Sequence, residues 1–211
     1  MIIKEHTYYI PTGKIRTTFN VQSSRFIASL FPVHSEEEVK EALKVVAAEF
    51  PEATHHTFAY RIGSGSTLIE RASDGREPAG TAGSPMLQLL QGKNISNILI
   101  VATRYFGGTK LGIGGLTRAY RDCARLVADE AKLVMKVPLK SFQLEIIYSD
   151  LGAVSRLAQS LGATIAGIDY SDKVIIHLTL PARESENLLK GFDSATRGGG
   201  NIVDTASPKQ I

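Results

Sequence analysis

The sequence predicts an α+β protein of two domains, an α/β domain over residues 1–136 and a smaller one over residues 137–211. Three observations carry that expectation. Segments of helical and strand periodicity alternate along the chain; the patterning changes at Val137-Pro138; and residues 137–211 read βαββαβ. With 211 residues, 43% hydrophobic and 21% charged, the chain has enough interior for a core without disulfide or metal support.

In the first domain an extended, Thr-rich opening leads into "SRFIASLFPV", which reads as a strand as far as Pro32. A helix follows from Ser35, with Ser35 as N-cap, Glu38 at the third helical position and Val39, Leu43, Val46 and Phe50 on one stripe. Pro51 ends it. "THHTFAYRIG" alternates as a strand and, across the Gly-Ser turn at 63–66, pairs with "STLIERAS" as a hairpin. The segment "DGREPAGTAGSPMLQLLQG" opens on a turn at Asp74-Gly75, and a helix is expected from Thr81 or Ser84 to Gly92. "NISNILIVATRYF" is a continuous apolar run of the kind a central, doubly buried strand shows. A long helix is expected from about Gly114 to Lys132, with Leu116, Ala119, Tyr120, Cys123, Ala124 and Val127 inward.

In the second domain "LKSFQLEIIYSD" reads as a strand, "LGAVSRLAQSLGA" as a helix, and "ATIAGIDYSD" with "KVIIHLTLP" as a hairpin. "ARESENLLKGFDSATRG" gives a second helix and "GNIVDTA" the last strand. This order is the split-βαβ, ferredoxin-like arrangement.

Cys123 stands alone, so no intrachain disulfide can form, and its helical spacing among small apolar residues points to a buried hydrophobe. The five histidines form no H-x-x-x-H or H-E-x-x-H pair. No metal and no cofactor are expected. The longest apolar run, Ile98 to Ala102, is too short to span a bilayer, and "MIIKEHTYYI" lacks a cleavage-like pattern, so no membrane association and a cytoplasmic location are expected.

The formal charge of +3 is unevenly placed. Residues 1–136 carry 17 Lys and Arg against 13 Asp and Glu, whereas residues 137–211 carry 7 against 8. Between 101 and 125 stand Arg104, Lys110, Arg118, Arg121 and Arg125 against Asp122 alone. Inside this basic stretch lies "YFGGTKLGIGGL", with five glycines at 107, 108, 112, 114 and 115. A Gly-rich turn between a buried strand and a helix can present unpaired backbone N–H groups to an anion. Its spacing matches neither G-x-G-x-x-G nor G-x-x-x-x-G-K-[ST], and glycine equally serves tight packing and positive φ, so both readings stand.

Asp74 and Glu77 are paired carboxylates suited to acid/base or metal work, while Arg71 and Arg76 beside them suggest surface ion pairing. His55 and His56 start a strand and point to opposite faces, one toward a site and the other toward solvent, and with no second ligand in sequence reach a hydrogen-bonded structural histidine outweighs a catalytic one. Ser73, Thr103 and Thr109 are present, but no G-x-S-x-G elbow appears, and no metal pentad, triad or Cys-His pair is available for hydrolysis.

Taken together, "ATHHTFAYRIG" (53–63), "DGREPAGTAGSPML" (74–87) and "VATRYFGGTKLGIGGLTRAY" (101–120) resemble the IMPACT family, in its bacterial, YigZ-type two-domain form. The resemblance covers nearly the whole chain. It implies a first domain like the second domain of ribosomal protein S-five and a ferredoxin-like second domain similar to the last domain of elongation factor G. Eukaryotic relatives regulate translation under amino-acid starvation by competing for the activator of an initiation-factor kinase, and their partner-recruiting domain is different. By matching position the family's characteristic residues are His55, Asp74, Glu77, Arg104, Tyr105, Gly107, Gly108, Lys110, Gly112, Gly114, Gly115 and Arg118. The usual pattern is Asp-Asp-Gly-Glu-Pro, whereas this chain has Asp74-Gly75-Arg76-Glu77-Pro78, so the pattern assigns Asp74 no fixed role.

The expected function is a non-enzymatic regulator associated with translation or the stress response. It binds RNA or a ribosome-associated protein through Arg104, Lys110, Arg118 and Arg121, with the backbone from Gly107 to Gly115 allowing close approach. The open sheet of the second domain adds contacts. The alternative is an enzyme acting on a small phosphate-bearing ligand at the Gly-rich turn, with His55 or Glu77 as acid or base.

Overall fold

The Thr-rich start of the chain forms two strands, β1 (Tyr8–Pro11) and β2 (Ile15–Val21), before the expected third, β3 (Ser24–Pro32). The computed structural model describes residues 7–205, and by internal contacts it divides into two units, Thr7–Lys136 and residues 137–205. In the first unit α1 (Glu36–Glu49), β4 (His55–Ile62), β5 (Ile69–Ser73), α2 (Gly83–Gly92), β6 (Ile98–Tyr105), α3 (Gly112–Glu130) and β7 (Leu133–Lys136) follow in order.

Five strands pair antiparallel in the order β2-β3-β6-β4-β5, which places the apolar run of β6 at the centre. Alternation along β6 then decides the layers. Ile98, Ile100 and Ala102 join Phe26, Ala28, Leu30 and Ala59 on the face covered by α2 and α3, while Leu99 and Val101 join Phe31, Tyr60 and Ile62 beneath α1. Helices on both faces therefore bury β6 twice over within an antiparallel sheet.

Helix α1 begins as its sequence requires, with the Glu38 amide donating to Ser35 Oγ at 3.2 Å. The return half of the cap reaches one residue further back, since the Glu38 carboxylate accepts from the His34 amide at 2.7 Å. Helix α3 starts and stops two residues earlier than its apolar spacing suggests. Its end is set by β7, which pairs with β1 in a two-stranded antiparallel ribbon (Tyr8 opposite Lys136, Pro11 opposite Leu133), while the Thr12 amide donates to the Lys132 carbonyl at 3.0 Å. Four-residue strands without alternation leave no periodic signal, and the ribbon is absent from the sequence reading for that reason.

The second unit runs β8 (Leu139–Ile146), α4 (Leu151–Ser160), β9 (Thr164–Tyr170), β10 (Val174–Pro181), α5 (Ser185–Thr196) and β11 (Asn201–Thr205). Its sheet is antiparallel in the order β11-β8-β10-β9. Phe142, Leu144, Ile146, Val174, Ile176, Leu178 and Leu180 face Val154 and Ala158 of α4 and Leu188 and Phe192 of α5. The chain is thus α+β, with βαββαβ in its second unit.

Ile100 sits at the middle of the central strand with no exposed surface. Ile100→Ala is expected to lower stability by about 2–5 kcal/mol, measured by urea denaturation, because the doubly covered sheet cannot collapse around the lost atoms.

Candidate functional site

Arg104 continues the even-numbered face of β6, so its side chain is carried beneath α2 and α3 and not to the surface. The residue is 4% exposed, and its guanidinium donates from Nη1 to Glu77 Oε1 at 2.7 Å and from Nη2 to Ser24 Oγ at 3.0 Å. Tyr120 of α3 donates its hydroxyl to the same Glu77 oxygen at 2.7 Å. His55, the first residue of β4, donates from Nδ1 to the Gly75 carbonyl at 3.0 Å, which turns Nε2 toward Glu77 Oε1, 3.8 Å away. Burial, reinforced by the Glu77 carboxylate, pushes the Tyr120 phenol far up, so it serves only as a donor. Burial likewise pushes up the Cys123 thiol, which keeps the single cysteine a protonated core group.

The sequence reading is corrected at four of these positions. Arg104 is not a surface group open to phosphates, because Glu77 and Ser24 occupy it. Glu77 is not part of a surface ion pair with Arg71 or Arg76; it is buried, Arg71 pairs with Glu36 at 3.2 Å, and Arg76 is exposed. Asp74 does have a fixed place. Its carboxylate accepts from the amides of Gly80 at 2.8 Å, Ala82 at 3.0 Å and Gly83 at 2.8 Å, capping α2 from outside the helix. Burial raises the Asp74 carboxyl, but the three amide donors outweigh it and hold it below the ordinary range. His56 is not solvated either: Thr103 Oγ1 lies 3.1 Å from its Nδ1, and Nε2 donates to the Phe50 carbonyl at 3.2 Å. Burial lowers its pKa, which keeps it neutral.

Beyond β6 the glycines divide by use. A Cβ on Gly107 would lie 1.7 Å from the Ser23 carbonyl oxygen, and Gly108 and Gly112 have φ of 89° and 69°, so the chain path itself requires these three. Gly115 is tight against Leu111, whose Cβ would be 3.0 Å away. Gly114 is different: its nearest neighbour would be Arg118 Nη1 at 3.6 Å, an ordinary contact, and its φ is unexceptional. The Arg118 guanidinium therefore leans back over Gly114 in the first turn of α3, a helix with no side-chain cap on its N-terminus.

Lys110, Arg118 and Arg121 are exposed, and none of the three is in an ion pair among the described residues. Arg125, by contrast, is taken by Asp122 at 3.4 Å and Asp129 at 3.7 Å. Tyr105 is half-buried, with the Arg25 guanidinium 4.4 Å from its ring centre. Lys110, Gly112, Gly114, Arg118 and Arg121 are thus exposed and Gly115 is half-buried, while His55, Asp74, Glu77 and Arg104 are engaged in the hydrogen bonds described above.

The second unit offers phosphates little. Phe142 and Phe192 are core residues, Tyr148 and Tyr170 stack on each other 6.3 Å apart, and Lys140, the one Lys or Arg in its four strands, pairs with Asp204 at 3.0 Å. Sequence reasoning also missed Ser24, Arg25 and the phenol of Tyr120. A tyrosine on the inner stripe of a helix needs a hydrogen-bond partner, and an arginine at an inward strand position needs an acid; those two requirements together point to Glu77.

Residues 22–128 match the family model described as the Impact N-terminal domain, and residues 144–198 match a domain of unknown function, DUF1949. The chain belongs to the IMPACT family. It is 33% identical over 193 residues to the IMPACT family member YigZ of Escherichia coli, covering 91% of this chain and 95% of that one. It is 30% identical over 199 residues to the family member YvyE of Bacillus subtilis, covering 94% and 91%. A solved structure described as a hypothetical protein superposes with a TM-score of 0.62 at 30% identity, covering 96% of this chain and 99% of the other. Set against the usual IMPACT pattern, Arg76 stands where the glycine precedes the glutamate, and its φ of 71° lies in the left-handed region that favours glycine. Gly75 is required independently, because a Cβ there would lie 1.9 Å from the His56 carbonyl oxygen.

Glu77→Ala should cost about 3–5 kcal/mol in urea denaturation, since it strands the Arg104 charge in the interior. The double variant with Arg104→Met should recover a large part of that loss. For Asp74 the folded value lies below the unfolded one, so its contribution is complete above the unfolded value of about 3.9 and is lost as pH falls through the folded one. The stability gap between the wild type and Asp74→Asn should therefore be full near pH 6 and close below about pH 4, followed by denaturant midpoint against pH.

Proposed function

We propose that this protein is a non-enzymatic regulator associated with translation that binds RNA through the glycine-lined basic face at the start of α3. The observation that carries the reading is the arrangement at Gly114. There an uncapped first helical turn, an Arg118 guanidinium laid over it and a missing side chain coincide. Unpaired N–H groups and the positive dipole end attract an anion, the guanidinium adds a full charge beside them, and glycine lets the ligand come close. Lys110 and Arg121 extend the same charge, and neither has an acidic partner among the described residues to surrender first.

The extent of the surface favours a polymer over a small ligand. Gly114, Arg118 and Arg121 step along one side of α3 over about 10 Å, at the 1.5 Å rise of a helix, a span that suits successive phosphates of a strand. Membership of the IMPACT family supports the association with translation, through the role that its resemblance implies for eukaryotic relatives.

Anisotropy of a labelled RNA oligonucleotide tests the reading. Affinity should fall steeply between about 50 and 200 mM salt, and Lys110→Glu with Arg118→Glu should weaken binding at least about tenfold and flatten the salt slope. Salt-insensitive binding, or binding unchanged in the double variant, would overturn it. Gly114→Ala should separate stability from binding: the helix gains about 0.5 kcal/mol while RNA affinity drops.

A further inference from the structure

Close in sequence to the basic residues stands an exposed ring that the charges alone do not explain. Phe106 follows β6 directly and is 42% exposed, four residues before Lys110. The Arg104 guanidinium lies 5.3 Å from its ring centre and 5.4 Å from that of Phe26, so the buried cation is held between two phenyl groups. The chain around the ring is pinned. The Phe106 amide donates to Thr54 Oγ1 at 3.0 Å, Gly107 is pressed against the Ser23 carbonyl, and Ser23 Oγ and Thr109 Oγ1 are 3.3 Å apart.

From this geometry we infer that Phe106 is a stacking platform for an unpaired base, and that the RNA recognised by the basic face is single-stranded there. The inference rests on the RNA reading above and adds the class of RNA. An aromatic ring fixed beside phosphate-binding cations is the combination by which single strands are held without sequence readout. Duplex RNA cannot use it, because its bases are already stacked on one another and only their edges are reachable. The cation behind the ring and the pinned backbone fix the ring before the base arrives, so stacking carries little ordering cost. Lys110 in the following loop and Arg118 on α3 then take the phosphates next to the stacked nucleotide.

The chain contains no tryptophan, which supplies the probe. In Phe106→Trp, the sole indole should be quenched when a single-stranded RNA oligonucleotide of about twelve nucleotides binds and should stay unquenched with a blunt duplex of the same length. In Phe106→Leu, which keeps apolar bulk and loses the ring, single-strand affinity should fall about tenfold while duplex affinity is unchanged. Full single-strand affinity in Phe106→Leu would overturn the stacking inference and leave the charged surface standing. The stacking inference also falls if the indole emission of Phe106→Trp is unmoved by single-strand binding that Lys110→Glu with Arg118→Glu abolishes. No binding of either RNA by the wild type would overturn the RNA reading itself, and the stacking inference with it.

Discussion

One buried carboxylate holds together the end of the sheet from which the basic face projects. Glu77 arrives from the segment between β5 and α2, Arg104 from β6 and Tyr120 from α3, and all three meet at a single oxygen. Such a pair adds little net stability, because desolvation of the two charges offsets their attraction. Its consequence is specification: this placement of the three elements gives the carboxylate, the guanidinium and the phenol partners in one another, and separating them would leave each without that partner in the interior. Asp74 extends the constraint by tying the same segment to the first amides of α2.

The constraint explains why residues of one sequence motif have two different fates. Arg104 and Lys110 are six positions apart, yet one is sealed beneath helices and the other stands free in the loop. The glycines between Phe106 and Leu116 divide in the same way. Those at 107, 108 and 112 serve the path of the chain, whereas Gly114 has no demand on it from the protein. What the fold leaves unspent here is specific: cations without acids among the described residues, and a small residue without a steric reason to be small.

Much of this was legible in the sequence, and the limits have physical causes. The central position of β6 follows from its unbroken apolar run, and α1 from its cap and stripe. The fate of Arg104 was also within reach, since strand alternation puts it on the side of Ile98, Ile100 and Ala102. Counting charges along the chain hides that, because a count has no inside or outside. Asp74 was out of reach, for its partners lie six, eight and nine residues ahead, across an aperiodic loop and at the first residue of α2. The partnership of β1 with β7 depends on residues more than a hundred positions apart, and neither strand announces itself.

The order of the five-stranded sheet has a bearing on how the protein is made. Its middle strand, β6, is the last of the five in the sequence. During synthesis at about 5–20 residues per second, the β2–β3 and β4–β5 hairpins leave the ribosome seconds before the strand that joins them. Until Tyr105 emerges, the inner edges of β3 and β4 carry unpaired backbone groups beside apolar side chains, the kind of edge that pairs with whatever strand is near. The nascent chain is therefore open to mispairing from the emergence of these two hairpins until that of β6.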